Sequence, residues 1–282
     1  MIEKILLADS GTGQTEEMLK ALREIPMIQR ASITILHVVN PQVTSEGMTE
    51  RWENGGKIVA NAIQALNLDP SQVTAILREG DPKDVVCRVA DEVDADLIIM
   101  GSRGLKRLQS ILENSVSQYV FQLASRPMLL VKDDIYVKKI NRIMVAVDKS
   151  DAAKETANLA ITFLRDVKGG QLVLVHANPE MKLKPGEIAA NAEEDPVLVP
   201  IAAEAKRQGV SYRCVAPEGK PGERICQLAD DLNVDLLMLG SPERRPSIAK
   251  GLPDLDRLLG QSLSDYVRVY ANCPVMLVRT PG

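Results

Sequence analysis

The chain has 282 residues, 45% of them hydrophobic, which is enough for two packed cores of ordinary domain size. The formal net charge is −4, and no cluster of lysine and arginine is extended enough to follow a phosphate backbone, which argues against a nucleic-acid partner. Neither a signal peptide nor an apolar run of roughly 18 residues is visible, so we expect a cytoplasmic protein with no membrane partner.

Short β-branched or leucine-rich segments alternate with amphipathic helical stretches, which is the pattern of βαβ units and a parallel sheet. In the first half, Asp81 and Pro82 form a typical helix start, with an N-cap followed by proline in the first turn. The predicted strands there are, in chain order, 5–8, 33–39, 73–77, 97–100 and 128–131. These elements predict an α/β fold: a five-stranded, doubly wound, Rossmann-like domain with a parallel sheet.

The second half of the chain repeats the first. The segment DADLIIMGS, which ends at Ser102, recurs as NVDLLMLGS, which ends at Ser241, and His37 recurs as His176 in a similar strand. The offset between the copies stays at 139 from His37 to Ser102 and becomes 147 after one longer loop in the second copy. The repeat predicts two tandem domains, residues 1–133 and 139–282, joined by a short linker.

Candidate binding residues follow three strands of the first copy. In doubly wound sheets, ligands lie beyond the carboxyl ends of the strands, where the strand order reverses. Glycines after the fourth strand would let a ligand approach the backbone, and an arginine there would offer a cationic fork. The candidates are Ala8, Asp9 and Ser10, then Val38 and Val39, then Met100, Gly101, Arg103 and Gly104.

A predicted helix start adds an anion site to this group. Asn114, Ser115, Val116 and Ser117 have the character of an N-cap and first turn, where unpaired N–H groups and the positive end of the helix dipole attract a phosphate. The two hydroxyls would add donors. The alternative interpretation is structural, because a Gly-x-x-Gly segment also closes ordinary corners and Asn-Ser is a good helix cap.

With these residues in place, the chain resembles the universal stress protein family over nearly its whole length, in two copies. The nucleotide-binding branch of that family carries Gly, two residues, Gly, nine residues, then Gly-Ser/Thr. Gly101, Gly104 and Ser115 match this spacing, and Asn114 takes the place of the third glycine. The resemblance implies an adenine nucleotide α-hydrolase-like fold, a stress-response role, and a first copy that binds ATP with or without Mg²⁺. It also implies recognition of adenine by the backbone at the end of the second strand, near Val38.

The first loop departs from the family pattern. The family has Ala-x-Asp there, with the aspartate facing the ribose or metal-bound phosphates. Ser10 stands where that aspartate is expected, and Asp9 comes one place early. Because successive side chains of a strand point to opposite faces, we expect Asp9 to point away from the face that the family aspartate uses.

The second copy departs in a different way. It keeps the aspartate at Asp148 but lacks the second glycine after Gly240, and Glu243 adds negative charge where phosphates would lie. We therefore expect the second copy to bind nucleotide weakly or not at all, with Ser262 and Ser264 acting only as helix caps.

Partners and alternative functions complete these expectations. The apolar last strands, 128–131 and 275–278, are expected to pair the two copies, and two chains are expected to form a homodimer. A nucleotide-free interaction scaffold is one alternative function, and an enzyme is another. Since no catalytic triad and no metal-ligand cluster are visible, we expect no catalytic residue and at most slow ATP hydrolysis.

The two histidines and the cysteines are not assigned to a site. No carboxylate partner of His37 or His176 is visible in the sequence, so we expect both to be packed in the core, with a pH-sensitive switch as the alternative. The acidic segment near Glu193 is expected to be solvated. The four dispersed cysteines are expected to be structural or incidental thiols.

Overall fold

The structure is a computed structural model, and it describes residues 2–11, 14–102, 116–177, 189–242 and 262–280. The chain forms two compact units, Met1–Lys138 and Lys139–Gly282. Each unit is an α/β domain with its own parallel strands, helices and buried apolar residues.

The first unit contains a parallel sheet whose described strands confirm the predicted fold class. Its strand order is β3-β2-β1-β4-β5, and every neighbouring pair is parallel. From β1 the chain adds β2 and β3 on one side and then β4 and β5 on the other, so the strand order reverses between β1 and β4. The strands are β1 (Lys4–Ala8), β2 (Ser32–Val39), β3 (Val73–Glu79), β4 (Leu97–Ser102) and β5 (Met128–Lys132).

Helices cover both faces of this sheet, and their starts follow local sequence signals. The predicted cap of the third helix is confirmed, because the Asp81 carboxylate accepts a hydrogen bond of 2.9 Å from the backbone N–H of Lys83, and Pro82 lies in the first turn. The helices are α1 (Gln14–Arg23), α2 (Ser45–Leu66), α3 (Pro82–Glu92) and α4 (Val116–Leu123), with a short 3₁₀ turn at Pro70–Gln72. Among the described residues of the whole chain, no helix has the length and apolar character needed to cross a bilayer.

The second unit repeats this architecture and adds one strand. Its strand order is β11-β10-β6-β7-β9-β8, parallel throughout except that β8 runs antiparallel to β9. The five predicted parallel strands are present, and β8 adds one short antiparallel edge strand that the sequence did not indicate. The strands are β6 (Arg142–Ala146), β7 (Gln171–Val175), β8 (Ala189–Asn191), β9 (Ser211–Pro217), β10 (Leu236–Pro242) and β11 (Val275–Thr280). The helices are α5 (Asp151–Leu164), α6 (Val199–Arg207), α7 (Pro221–Asp231) and α8 (Leu263–Tyr270).

The extra strand has a physical reason. In the first unit, the long helix α2 follows β2 and packs on β2 and β3. In the second unit, the corresponding stretch contains β8, a turn and the shorter helix α6. The strand β8 pairs with β9 and covers the backbone groups of an edge that would otherwise be open to another chain.

One carboxylate fastens the amino end of the sheet in each unit. The Asp96 Oδ2 atom accepts hydrogen bonds from the backbone N–H groups of Glu3 (2.7 Å) and Lys4 (2.9 Å). The Asp235 Oδ2 atom, 139 positions later, accepts from Asn141 (2.9 Å) and Arg142 (2.7 Å). Because an ionised acceptor strengthens both bonds, Asp96 fixes the start of β1 against the start of β4, and Asp235 fixes the start of β6 against the start of β10.

A glycine fixes the approach of helix and sheet at the opposite end of the second unit. A Cβ atom placed on Gly240 would lie 2.4 Å from the backbone carbon and oxygen of Ala152 and 2.7 Å from the nitrogen of Ala153. Only glycine therefore allows the start of α5 to lie this close to the end of β10. The glycine at this place in the repeat has a packing role, independent of any ligand.

Candidate functional site

The predicted binding segments of the first unit meet at the carboxyl edge of its sheet. Ala8, the last residue of β1, is level with Met100 of β4 and with Leu36 of β2. The strand β2 continues to Val39, so its last residues extend past the end of β1. The ends of β1, β2 and β4 thus surround the point where the strand order reverses, as the sequence predicted.

Asp9 points into the unit and Ser10 points out of it. The side chain of Asp9 is only 4% exposed, whereas Ser10 is exposed. The N–H of Asp9 donates to the oxygen of Leu36, and in the second unit the N–H of Val147 donates in the same way to Val175, so Asp9 occupies the place of a buried valine. The one-place shift of the aspartate therefore turns its carboxyl inward. Ser10 remains a predicted ligand contact.

A buried glutamate lies next to Asp9, and the sequence did not indicate it. Glu16, in the first turn of α1, is 6% exposed, and its Oε2 atom accepts a hydrogen bond of 2.9 Å from the hydroxyl of Thr15. Burial raises the pKa of Asp9 to about 6, and the charge and hydrogen bond of Glu16 act in the same direction, whereas the hydrogen bond from the N–H of Gly11 lowers it. A glutamate in the first turn of a helix is normally exposed and interacts favourably with the positive end of the helix dipole, so the burial of Glu16 was not expected.

His37 is packed, as expected. Its Nδ1 atom lies 2.8 Å from the backbone oxygen of Asp9, and because that oxygen can only accept, Nδ1 carries the proton. Gly55 of α2 lies over the ring, so that a Cβ atom there would be 3.0 Å from Cδ2 of His37. The imidazole thus links the end of β1 to β2 and α2.

His176 has a carboxylate partner, and the expectation that it has none is wrong. Its Nδ1 atom lies 2.8 Å from Oδ2 of Asp195, and the two side chains are 20% and 10% exposed. Burial alone would raise the pKa of Asp195, but hydrogen bonds from His176 and from the N–H of Val197 hold it below its usual range. The acidic segment that includes Glu193 is therefore not simply solvated. Local sequence carries no sign of this pair, because it depends on how the chain returns after β8.

The predicted phosphate cradle is described only in part. Met100 and Gly101 are half-buried at the end of β4, and Val116 and Ser117 form the first turn of α4, with Ser117 buried. The other predicted residues of the cradle lie outside the described residues: Arg103, Gly104, Asn114 and Ser115.

The corresponding helix of the second unit shows the cap that was expected there. Ser262 precedes α8, and its hydroxyl oxygen accepts a hydrogen bond of 3.2 Å from the N–H of Asp265. The hydroxyl of Ser264 lies 3.1 Å from that of Ser262. Glu243 lies outside the described residues.

The described residues form no metal centre, and the thiols of Cys87 and Cys214 are not reactive. Within the described ranges, no group of three or more His, Cys, Asp and Glu side chains could hold a metal ion, and the Asp9 carboxyl is turned inward. These residues do not assemble a Mg²⁺ site. Burial raises the pKa of the Cys87 and Cys214 thiols to about 11, so both are protonated and poorly nucleophilic near neutral pH.

Comparison with known proteins finds one family in both halves of the chain. The profile described as "Universal stress protein family" matches residues 1–132 and again 139–279. Universal stress protein YxiE of Bacillus subtilis is 30% identical over 148 residues, which covers 47% of this chain and 100% of the relative. Stress response protein NhaX of the same organism is 32% identical over 165 residues, covering 46% of this chain and 98% of the relative. Each of these relatives therefore matches about half of the chain.

A solved structure shows the same fold over nearly the full length. The crystal structure of a universal stress protein from Archaeoglobus fulgidus aligns with a TM-score of 0.74 at 21% identity, covering 98% of this chain and 96% of that chain.

Proposed function

Because this chain belongs to the universal stress protein family in both of its halves, we propose that its first unit binds an adenine nucleotide, ATP in the first instance, and acts as a regulatory binding module in a stress response. The observation that carries the proposal is the meeting of the ends of β1, β2 and β4 at the point where the strand order reverses. Sheets of this type bind their ligands at that point.

The chemistry of the edge suits the three parts of a nucleotide. The backbone of Val38 and Val39 extends past β1 and would recognise adenine, and the exposed Ser10 would face the ribose. Gly101 begins the glycine fingerprint, which leads to the start of α4, where backbone N–H groups would hold the phosphates. Each part of the ligand thus has a group of matching polarity.

The second unit is proposed to bind nucleotide weakly or not at all. His176 directly follows β7, and Asp195 is hydrogen-bonded to it. The end of β7 corresponds to the end of β2, where adenine is proposed to bind in the first unit. Gly240 has a packing role, and the second glycine of the fingerprint, which would stand three positions later, is replaced by Glu243. The asymmetry between the units predicts one nucleotide per chain.

Calorimetric titration of the full chain with ATP tests the proposal. We expect one site, lost in Gly104→Glu because a long anionic side chain would stand against the phosphates, and retained in the matched control Gly251→Glu in the second unit. Equal affinity of both variants would refute the assignment of the site. The purified protein could carry no nucleotide, and saturating ATP could release no heat of binding. These two results together would favour the nucleotide-free scaffold.

A further inference from the structure

Two acidic side chains are buried together in the first unit. Asp9 follows β1 and is 4% exposed, and Glu16 lies in the first turn of α1 and is 6% exposed. The charge and hydrogen bonding of Glu16 both raise the pKa of Asp9, so the two carboxyls interact directly. Acidic side chains are rarely buried to this degree unless a partner neutralises them.

The hydrogen bonds of this pair leave one oxygen without a donor. Oδ1 of Asp9 accepts from the N–H of Gly11 at 2.8 Å, and Oε2 of Glu16 accepts from Thr15. In the described part of the chain, Oδ2 of Asp9 is buried and has no hydrogen-bond partner. A buried carboxylate oxygen without a donor is costly, and two carboxylates in contact cannot both stay ionised at low dielectric. One proton held between the two carboxyls removes both penalties.

Among the described residues, no cation on the neighbouring elements takes the place of that proton. The strand β4 carries no titratable side chain, and the loop after β1 meets α2 through Ile58, which would touch a Cβ on Gly11. Lys20 is paired with Glu17 at 2.6 Å on the outer side of α1. The titratable groups on the neighbouring elements are Glu16, Glu17, Lys20 and Arg23 of α1, His37 of β2, Glu46, Glu50, Arg51, Glu53 and Lys57 of α2, and Lys132 of β5.

The second unit shows that the fold does not need an acid at this place. Val147 occupies the position of Asp9 there, with the same backbone hydrogen bond to the neighbouring strand and the same burial. The buried acid is therefore found in the unit for which nucleotide binding is proposed, and a valine is found in the other.

Asp9 is bonded to both sides of the proposed site. Its carboxyl holds the N–H of Gly11 in the loop after β1, and its backbone oxygen accepts from His37, next to Val38. When the proton leaves to solvent, a second negative charge forms directly behind this loop. Such a charge repels a polyphosphate, and the two carboxylates, one in the loop after β1 and one in α1, also repel each other.

We propose that Asp9 and Glu16 share a single proton and that loss of this proton weakens adenine-nucleotide binding in the first unit, which makes the site sensitive to acidification. The inference rests on the proposed function of that unit. Its sign is fixed: binding is tighter when the pair holds the proton and weaker when both carboxyls are ionised.

Affinity for ATP measured on the full chain between about pH 5 and pH 8 tests this inference. We expect the wild-type affinity to fall about tenfold as pH rises, an effect of the size expected for one added charge behind the phosphates. Asp9→Asn mimics the protonated pair, since the amide oxygen can still accept from Gly11 and the NH₂ group can donate to Glu16, and should stay at the high-affinity limit. Glu16→Gln should also lose the pH dependence.

Glu17→Gln is the matched control, because it removes the same charge from the outer side of the same helical turn. The ratio of wild-type to control affinity at each pH cancels the protonation of ATP itself. If Glu17→Gln flattens the pH profile of ATP affinity as strongly as Glu16→Gln does, the pH dependence is not due to the buried pair and the inference is overturned.

Carboxyl carbon NMR titration of the wild-type protein separates failure of this inference from failure of the proposed function. The inference expects the carboxyl of Asp9 to titrate with a pKa of about 6, well above the ordinary range of an aspartate. Two ordinary titrations overturn the inference. A perturbed pair with pH-independent ATP affinity also overturns it, leaving the proposed function intact. A perturbed pair with no ATP binding at any pH shows that the proposed function has failed instead.

Discussion

The Nδ1 atom of His176 lies 2.8 Å from Oδ2 of Asp195 in the second unit. His37, 139 positions earlier, places its Nδ1 atom against a backbone oxygen instead. The two copies thus keep the imidazole at the same point of the strand but give it acceptors of different charge. In the first unit the histidine joins two strands, and in the second it fastens the turn after β8 to the sheet.

Removing the carboxylate of this pair is expected to destabilise the second unit. Asp195→Ala would leave His176 and the N–H of Val197 without their acceptor, which should lower the free energy of unfolding by about 1–3 kcal/mol. Chemical denaturation measures the change. The adjacent, exposed Glu194 provides the control, and Glu194→Ala should leave the unfolding free energy within about 0.5 kcal/mol of wild type.

The pH dependence of the same variant has a definite sign. The folded protein holds the pKa of Asp195 below its usual range, so the stabilisation by this group is present above the usual range and disappears as pH falls through the folded pKa. The difference in unfolding free energy between wild type and Asp195→Ala should therefore shrink on acidification below about pH 4. A difference that widens on acidification would contradict the pairing.

Replacing Asp9 by the valine of the other copy is expected to stabilise the first unit at neutral pH. A pKa of about 6 in the folded state, against an ordinary value of 3.8, corresponds to roughly 3 kcal/mol lost when the buried carboxyl ionises. Wild-type stability should thus decline between about pH 4 and pH 6, and Asp9→Val should not follow this decline. Above pH 6, the gain in unfolding free energy of Asp9→Val over wild type is reduced by roughly 1 kcal/mol, because the hydrogen bond to the N–H of Gly11 is lost. Hydrogen exchange of the β1 and β2 amides measures it.

The two amino-end carboxylates provide a matched pair of variants. Asp96→Ala and Asp235→Ala each deprive two backbone N–H groups of an ionised acceptor, and each should lower the unfolding free energy of its own unit by roughly 2–4 kcal/mol. Limited proteolysis should locate the damage in the substituted unit. Asp231→Ala, at an exposed position at the end of α7, should be close to neutral, and comparable losses in all three variants would argue against the assigned role.

Two glycines are expected to respond in opposite directions to alanine. Gly240→Ala would push a methyl group into the backbone of Ala152 and should destabilise the second unit by about 3 kcal/mol or more. Gly56, inside α2, has open space where the methyl group of an alanine would lie, and Gly56→Ala should stabilise the first unit by about 0.5–1 kcal/mol. Thermal unfolding of the two variants compares them directly, and a tolerated Gly240→Ala would remove the packing role of that glycine.

Local signals account for what the sequence could predict. The strands of the first unit, the Asp81 cap and the two-unit repeat depend on periodicity, helix-start chemistry and self-similarity, and all of them are found in the structure. The inward turn of Asp9 also followed from a local rule, the alternation of side chains along a strand.

Contacts between side chains of different secondary-structure elements account for what it missed. The partner of Asp9 lies on the following helix, and Glu16 there is indistinguishable in sequence from an ordinary surface residue of a first turn. The partner of His176 lies beyond a segment whose structure differs from its counterpart in the first unit, so the repeat offered no guidance. Both findings require knowing which parts of the chain return to the same place.

The carboxylates of Asp96 and Asp235 indicate which part of a duplicated domain stays the same while the rest diverges. Both copies retain the same fastening at the rim where their strands begin, while the rim where the strands end has diverged in its acids, its glycines and the partners of its histidines. The amino end of the sheet therefore keeps the same stabilising contacts in both domains. That leaves the other free to lose a ligand, or acquire a different one, without endangering the domain that carries it.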